Sequence, residues 1–282
     1  MANVGLVLSG GFAKGAYQIG VLKALEEFFC RDNIIISASS VGSLNAYAYA
    51  AGKLKFMEEE IWRGFDFNSM RSFFRIFART PFAYNIVDSL TEKDDVMTQN
   101  YLYTTCFNFT KRVINYINLR ELDFKSTKKY LKASVTLPVF TKAVEISDAK
   151  YFDGAMVDNI PVFPLMKHRL DYIIVVHFDN NSYTFENEYF DNKLIKINFL
   201  DDKIIKNSFA FDKKTISYMI DTGYEQSKAV FDMIFSNGTE NLEYIYEKID
   251  FFNMLKGGKR LRITGDVVVN NINRLLRKIV QK

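Results

Sequence analysis

Cysteine and histidine are nearly absent from this chain, whose 282 residues hold only Cys30, Cys106, His168 and His177. Two cysteines exclude a disulfide framework and a cysteine zinc site, and they fit a reducing, cytoplasmic setting. No cluster of ligating residues stands out in the sequence, so neither a metal nor a cofactor is expected. Long hydrophobic runs are missing too: no apolar stretch is long enough to span a bilayer, and the chain enters an apolar strand at Val4 with no basic segment before it. Neither a membrane span nor a signal peptide is therefore expected, although export by a signal-independent route would leave no mark. The charge balance is mild, with a net +4 and a pI near 8.8. That balance does not call for nucleic acid, and it favours contact with anionic lipid or a phosphate-bearing substrate. With 48% hydrophobic and 25% charged residues, the remainder is ordinary globular material.

The chain is organised around Ile34-Ile35-Ile36-Ser37-Ala38-Ser39-Ser40-Val41-Gly42. A β-branched run predicts a short buried strand, and Leu44 to Ala51 predicts a helix that Gly52 ends. The join is short enough to be a nucleophile elbow. In such a turn, small residues two before and two after the serine let strained backbone pass close to its neighbours and push Oγ outward. Ala38 and Gly42 hold those positions around Ser40. The competing reading makes Ser39 or Ser40 a helix N-cap.

Upstream, Val4-Gly5-Leu6-Val7-Leu8 predicts a first buried strand, then Ser9 to Gly15 a glycine-rich loop, then a helix from about Ala16 to Phe29. Backbone N–H groups at such a helix start suit an anion. Gly10 and Gly15 have P-loop spacing, but Ala16 and Tyr17 follow where lysine and a hydroxyl are needed. A dinucleotide fingerprint would need glycine where Phe12 stands. An oxyanion hole remains, with donors from Gly10, Gly11 and Phe12 and from Val41 after the nucleophile. A glycine turn needed only for close packing is the alternative.

Residues 53–132 change character and read as a helical, aromatic insertion. Within it, Met70, Phe73, Phe74 and Phe77 fall at helical spacing, with Arg71, Arg75 and Arg79 along another face: a core-facing helix or a lipid-contacting lid. Lys111 to Leu119 and Tyr130 to Val135 both read as strands. Farther on, Asp153 precedes Gly154 at a turn leaving an apolar neighbourhood, where a carboxylate can serve as general base or simply make an Asp-Gly turn. Leu170 to Phe178 reads as a buried parallel strand. At the C-terminal end, Ile272, Leu275, Leu276 and Ile279 share a helical face beside Arg274, Arg277 and Lys278, either docked on the domain or lying on a bilayer.

Taken in order, Leu8-Ser9-Gly10-Gly11-Phe12-Ala13-Lys14-Gly15, Ala38-Ser39-Ser40-Val41-Gly42 and Asp153-Gly154-Ala155 resemble the oxyanion loop, nucleophile elbow and D-G-[GA] motif of the patatin-like phospholipase family. Ala133-Ser134 followed by Leu137-Pro138-Val139-Phe140 is similar to the stretch before that aspartate. The likeness covers roughly residues 3 to 180, with Phe12 replacing a loop glycine and Ala38 the first elbow glycine. It implies an α/β fold, a three-layer αβα sandwich with a mainly parallel central sheet. It also implies a catalytic Ser40–Asp153 dyad that hydrolyses phospholipid or another acyl ester through an acyl-enzyme, with Ala38, Gly42, Lys14, Gly15 and Gly154 supporting the elbow and loop. Lys14 would favour an anionic head group or fix the loop. One domain over 1–282 is expected, with 53–132 inserted and 181–282 as a C-terminal extension. Peripheral membrane contact is compatible with this reading; the oligomeric state is not legible. Two rivals stand beside it: a Ser-His-Asp esterase using His177, which ends a strand, and a non-catalytic lipid-binding protein on the same scaffold.

Overall fold

The computed structural model describes residues 2–64, 82–97, 101–138, 141–178, 182–185, 192–199, 212–255 and 258–261. Segments 65–81 and 262–282, with the arginine-bearing and C-terminal helices expected from the sequence, lie outside the described residues, as do Val139 and Phe140.

Five strands form the parallel centre of one sheet: β1 (Val4–Leu8), β2 (Ile34–Ala38), β3 (Leu102–Asn108), β7 (Tyr172–His177) and β9 (Leu194–Asn198). Their apolar, β-branched sequences suit burial on both faces. Alternation along β1 shows why: Val4, Leu6 and Leu8 enter the large core, while Val7 enters a second core on the opposite face. Antiparallel strands β4 (Val113–Asn118), β5 (Val144–Ile146) and β6 (Ala149–Asp153) complete this sheet. A separate pair is made by β8 (Ser182–Phe185) and β10 (Gly258–Leu261).

Helices α1 (Gly15–Glu26), α2 (Val41–Ala50), α3 (Phe82–Leu90) and α5 (Lys213–Ile234) pack on the large core, and α6 (Leu242–Met254) adds Ile245 and Ile249 to it. Where α1 crosses α5, a Cβ on Gly20 would stand 2.1 Å from the Ile220 carbonyl, and one on Gly223 2.2 Å from that of Tyr17. Only hydrogen fits at either point, so the two backbones touch. On the opposite face a 3-10 turn, Phe163–Lys167, packs Leu165 against Val7 and Val175. The fold is thus an α/β sheet, mostly parallel, with helical segments on both faces. No helix among the described residues is long and apolar enough to cross a membrane.

Within the span 53–132 lies β3, a central strand hydrogen-bonded to β2, β4 and β6. Contrary to the expected strand over Tyr130 to Val135, Tyr130 to Ser134 is helical and Val135 caps it: the stretch ends α4 (Phe124–Ser134), whose start is fixed by the Asp123 carboxylate accepting the Ser126 N–H at 2.7 Å. Among the described residues of 181–282, β9 joins the main sheet and α5 and α6 pack on the large core, while β8 and β10 pair apart from it.

Candidate active site

The register of β3 brings two distant parts of the sequence together. Its first half pairs with β2, placing Ala38 opposite Thr104, and its second half pairs with β6, placing Asp153 opposite Cys106. Since β4 takes the other edge of β3 throughout, β2 and β6 share one edge end to end. The chain turns out of the sheet at Ser39-Ser40 where β6 arrives with Asp153. Thr105 sits at this junction and donates to Ser39 Oγ at 2.6 Å.

Ser40 occupies that turn at φ 54°, ψ −131°. A non-glycine residue there carries roughly 1–3 kcal/mol of strain, which the surroundings must hold. They do so tightly. A Cβ on Gly42 would lie 2.5 Å from the Leu8 carbonyl oxygen, so the first turn of α2 can press against the end of β1 only with glycine at that position. Ala38 is completely buried, and its methyl is accommodated where the commoner elbow has glycine. Although Ser40 precedes α2, its side chain makes no cap hydrogen bond, contrary to the N-cap reading. Its hydroxyl instead meets the Asp153 carboxylate.

Asp153 is 1% exposed. Burial is the main influence on its carboxyl and pushes the pKa up to about 7, against the opposing effects of the Ser40 hydroxyl and the Ala155 N–H, which donates to Oδ1 at 2.9 Å. Asp153 therefore makes the Asp-Gly turn and meets the serine at once. Gly154 is required because a Cβ there would come 2.7 Å from the Thr105 backbone carbon.

The glycine loop crosses beside the serine. A Cβ on Gly10 would stand 2.7 Å from both Ser40 Cβ and Asn159 Oδ1, and one on Gly11 would penetrate the Phe178 ring. The Gly10 N–H donates to Asn159 Oδ1 at 2.9 Å, so this one of the four expected oxyanion donors is already engaged. Phe12 adopts φ 52°, the left-handed region that favours glycine, at a cost of about 1–2 kcal/mol. Its ring packs against the large core. Lys14 is 5% exposed, with Nζ 5.5 Å from the Phe178 ring centre. Gly15 leaves room for Val41 and Trp62, which would stand 2.9 and 3.0 Å from a Cβ there.

Several buried side chains without an expected role tie these pieces together. Asn45 of α2 donates to the Gly15 carbonyl at 2.9 Å and to Gln18 Oε1 at 2.8 Å, and accepts from Trp62 Nε1 at 3.0 Å. Gln18 in turn donates to the Ser9 carbonyl at 2.7 Å. Asp158 accepts the Tyr116 hydroxyl at 2.6 Å, and its own backbone carbonyl accepts from Ser39 Oγ at 3.2 Å. Burial raises the Asp158 pKa, opposed by the Tyr116 hydrogen bond.

Neither histidine lies at this junction. His177 ends β7, on the opposite side of β1 from β2, beside Asn198 of β9. His168 is half-buried beside Tyr103. It accepts from or donates to the Tyr103 hydroxyl at 3.0 Å and lies 4.3 Å from the Tyr101 ring, and burial lowers its pKa. Among the described residues, no three His, Cys, Asp or Glu side chains converge as metal ligands.

A family model for patatin-like phospholipase matches residues 6–166, the span from β1 through the 3-10 turn at Phe163–Lys167. Among curated proteins, the lysophospholipase NTE1 of Scheffersomyces stipitis is 26% identical over 198 residues, covering 61% of this chain and 11% of its own length. The lysophospholipase nte1 of Aspergillus terreus is 30% identical over 190 residues, covering 58% and 11%. The chain thus spans about a tenth of the length of these curated relatives. Among solved structures, VipD from Legionella pneumophila superposes with a TM-score of 0.49 at 13% identity, covering 82% of this chain and 67% of the other. Because the family model takes in more than half of its residues, with all three motif segments inside the match, the chain belongs to the patatin-like phospholipase family.

Proposed function

We propose that this chain is a lipid acyl hydrolase of the phospholipase A or lysophospholipase type, working through Ser40 and Asp153. The observation that carries the proposal is the pairing of a serine at φ 54° with a buried carboxyl whose pKa lies near 7. A base poised near the working pH combines the right protonation state with proton affinity. Asp153 takes the Ser40 hydroxyl proton as Oγ bonds to the ester carbonyl carbon. The oxyanion so formed is held by backbone N–H groups of Gly11, Phe12 and Val41, while Gly10 serves the loop through Asn159. Collapse breaks the bond to the alkoxide, which leaves as alcohol with the proton from Asp153. Water then attacks the acyl-enzyme, gives its proton to Asp153 and releases the fatty acid as Ser40 is restored. No step requires a group beyond these residues and water.

A carboxylic ester of a lipid is the substrate class that the family membership and the lysophospholipase names of the relatives support. The test is release of fatty acid from lysophosphatidylcholine and from p-nitrophenyl esters by the wild type and by Ser40→Ala. Loss of turnover in a folded Ser40→Ala protein is expected, and full retention overturns the proposal. We further propose a cytoplasmic protein that binds membranes peripherally through the cations of the sequence segment 67–79. Sedimentation with anionic vesicles, lowered by salt and by glutamine at Arg71, Arg75 and Arg79, is expected; equal binding to zwitterionic vesicles refutes the electrostatic part.

A further inference from the structure

Two consecutive peptide units of the glycine loop are gripped from outside. The Ser9 carbonyl accepts from Gln18 Nε2 at 2.7 Å, the Gly10 N–H donates to Asn159 Oδ1 at 2.9 Å, and the Gly10 carbonyl accepts from Asn159 Nδ2 at 3.3 Å. The first two atoms belong to the Ser9–Gly10 peptide, which is thereby held at both ends. The third belongs to the Gly10–Gly11 peptide, and there Asn159 makes the hold.

That second peptide needs one. It joins two glycines, whose backbones rotate with little steric resistance, so a flip exchanging its C=O and N–H directions is cheap unless a neighbour prevents it. No cis peptide occurs among the described residues, and in a trans unit the C=O and N–H point opposite ways. With its carbonyl on Asn159 Nδ2, the unit must turn the Gly11 N–H away from Asn159. We propose that Asn159 is a positioning residue that locks the Gly10–Gly11 peptide in the orientation from which the Gly11 N–H serves the oxyanion. This rests on the acyl-transfer reading of the Ser40 site.

The carboxamide is the side chain such a task needs, because it offers an acceptor and a donor side by side. Its orientation is fixed by the peptide: flipped, the NH2 would confront the Gly10 N–H. Asn159 is itself anchored by its neighbour, for Asp158 holds Ser39 of the elbow through its carbonyl and Tyr116 of β4 through its carboxylate. One short segment after Asp153 thus touches both the serine turn and the glycine loop. Gly10 stands directly between Ser40 and Asn159, within 2.7 Å of each as measured from its would-be Cβ.

Two substitutions separate the two bonds. Asn159→Ala removes both, whereas Asn159→Asp keeps the acceptor for the Gly10 N–H and loses the donor to the Gly10 carbonyl. Steady-state ester hydrolysis is measured at pH 9, where Asp153 is ionised, beside Ser40→Ala and thermal unfolding. For Asn159→Ala, kcat is expected to fall by about 10- to 1,000-fold, the upper end being the loss of a whole oxyanion donor. KM should change little, and the pH–rate midpoint should stay where the wild type has it, since the base is untouched. Asn159→Asp is expected to be no faster than Asn159→Ala at this pH while keeping its fold. Should the alanine variant fold poorly, the aspartate variant carries the test alone. Wild-type kcat in Asn159→Asp overturns the inference, as does a loss confined to KM. If Asn159→Ala turns over normally while Ser40→Ala is dead, only the role of Asn159 fails; if Ser40→Ala stays active, the reading of the site fails with it.

Discussion

Replacing Asp153 by asparagine should make the protein inactive and, at alkaline pH, more stable. The carboxyl is fully enclosed, and burial lifts its pKa from an ordinary 3.8 to about 7. In the unfolded chain it ionises near 3.8, so between these values the folded state holds a proton that the unfolded state has lost. Stability from this group is therefore complete below about pH 4 and declines as pH rises to about 7, beyond which the whole cost of the buried carboxylate is borne. At 1.36 kcal/mol per pH unit, that cost reaches up to about 4 kcal/mol. Asparagine has no charge to bury and keeps a carbonyl for the Ala155 N–H. The assay is thermal unfolding of wild type and Asp153→Asn from pH 4.5 to pH 8.5, with Asp153 the only titrating group that differs. At about 2 °C per kcal/mol for a chain of this size, Asp153→Asn should gain up to about 8 °C on the wild type across that range. The same variant should lose about 100- to 10,000-fold in esterase turnover, the contribution of a general base. A melting difference that does not change with pH would refute the reasoning, because it would mean that the carboxyl ionises as freely in the folded protein as outside it.

Gly42→Ala should lower stability by about 1–3 kcal/mol and reduce esterase turnover with it, since its methyl must displace the Leu8 carbonyl 2.5 Å away; denaturant unfolding beside an activity assay measures both. His177→Gln should keep turnover within a few-fold of wild type, because the Ser40 hydroxyl meets Asp153 rather than an imidazole; loss of activity in a folded His177→Gln protein would revive a Ser-His-Asp triad.

The parts of this fold that were legible in the sequence are those that local chemistry specifies. β1 with its glycine loop, β2 with its tight turn and the Asp153 turn each carry their own strand, glycine and small-residue signals. What joins them is not local. β3 has Thr104, Thr105, Cys106 and Asn108 in a strand that is buried along most of its length, a polar pattern that does not announce a central strand. These polar side chains are there to be bonded: Thr104 donates to Ser43 Oγ and Thr105 to Ser39 Oγ, each at 2.6 Å. Helix α4 begins at Asp123, whose capping role shows only in the structure, and the β-forming Tyr130 and Val135 at its far end read as a strand. Asn159 was hidden by distance, for its partner is Gly10, 149 residues away in sequence. The reversal at Phe12 is also instructive: an aromatic residue at a left-handed position marks a loop held by its surroundings, since packing of the ring against the core has to offset the backbone cost.

The central claim is that Ser40 is the nucleophile and Asp153 its base. Covalent labelling by a fluorophosphonate, located by peptide mass spectrometry and timed from pH 5 to pH 9, tests both at once. The predicted result is a single adduct on Ser40, forming at a rate that rises with pH to a plateau above about 7, abolished in Ser40→Ala and slowed at least about 100-fold in Asp153→Asn. An adduct on another residue, or labelling of Ser40 at the wild-type rate in Asp153→Asn, would contradict it.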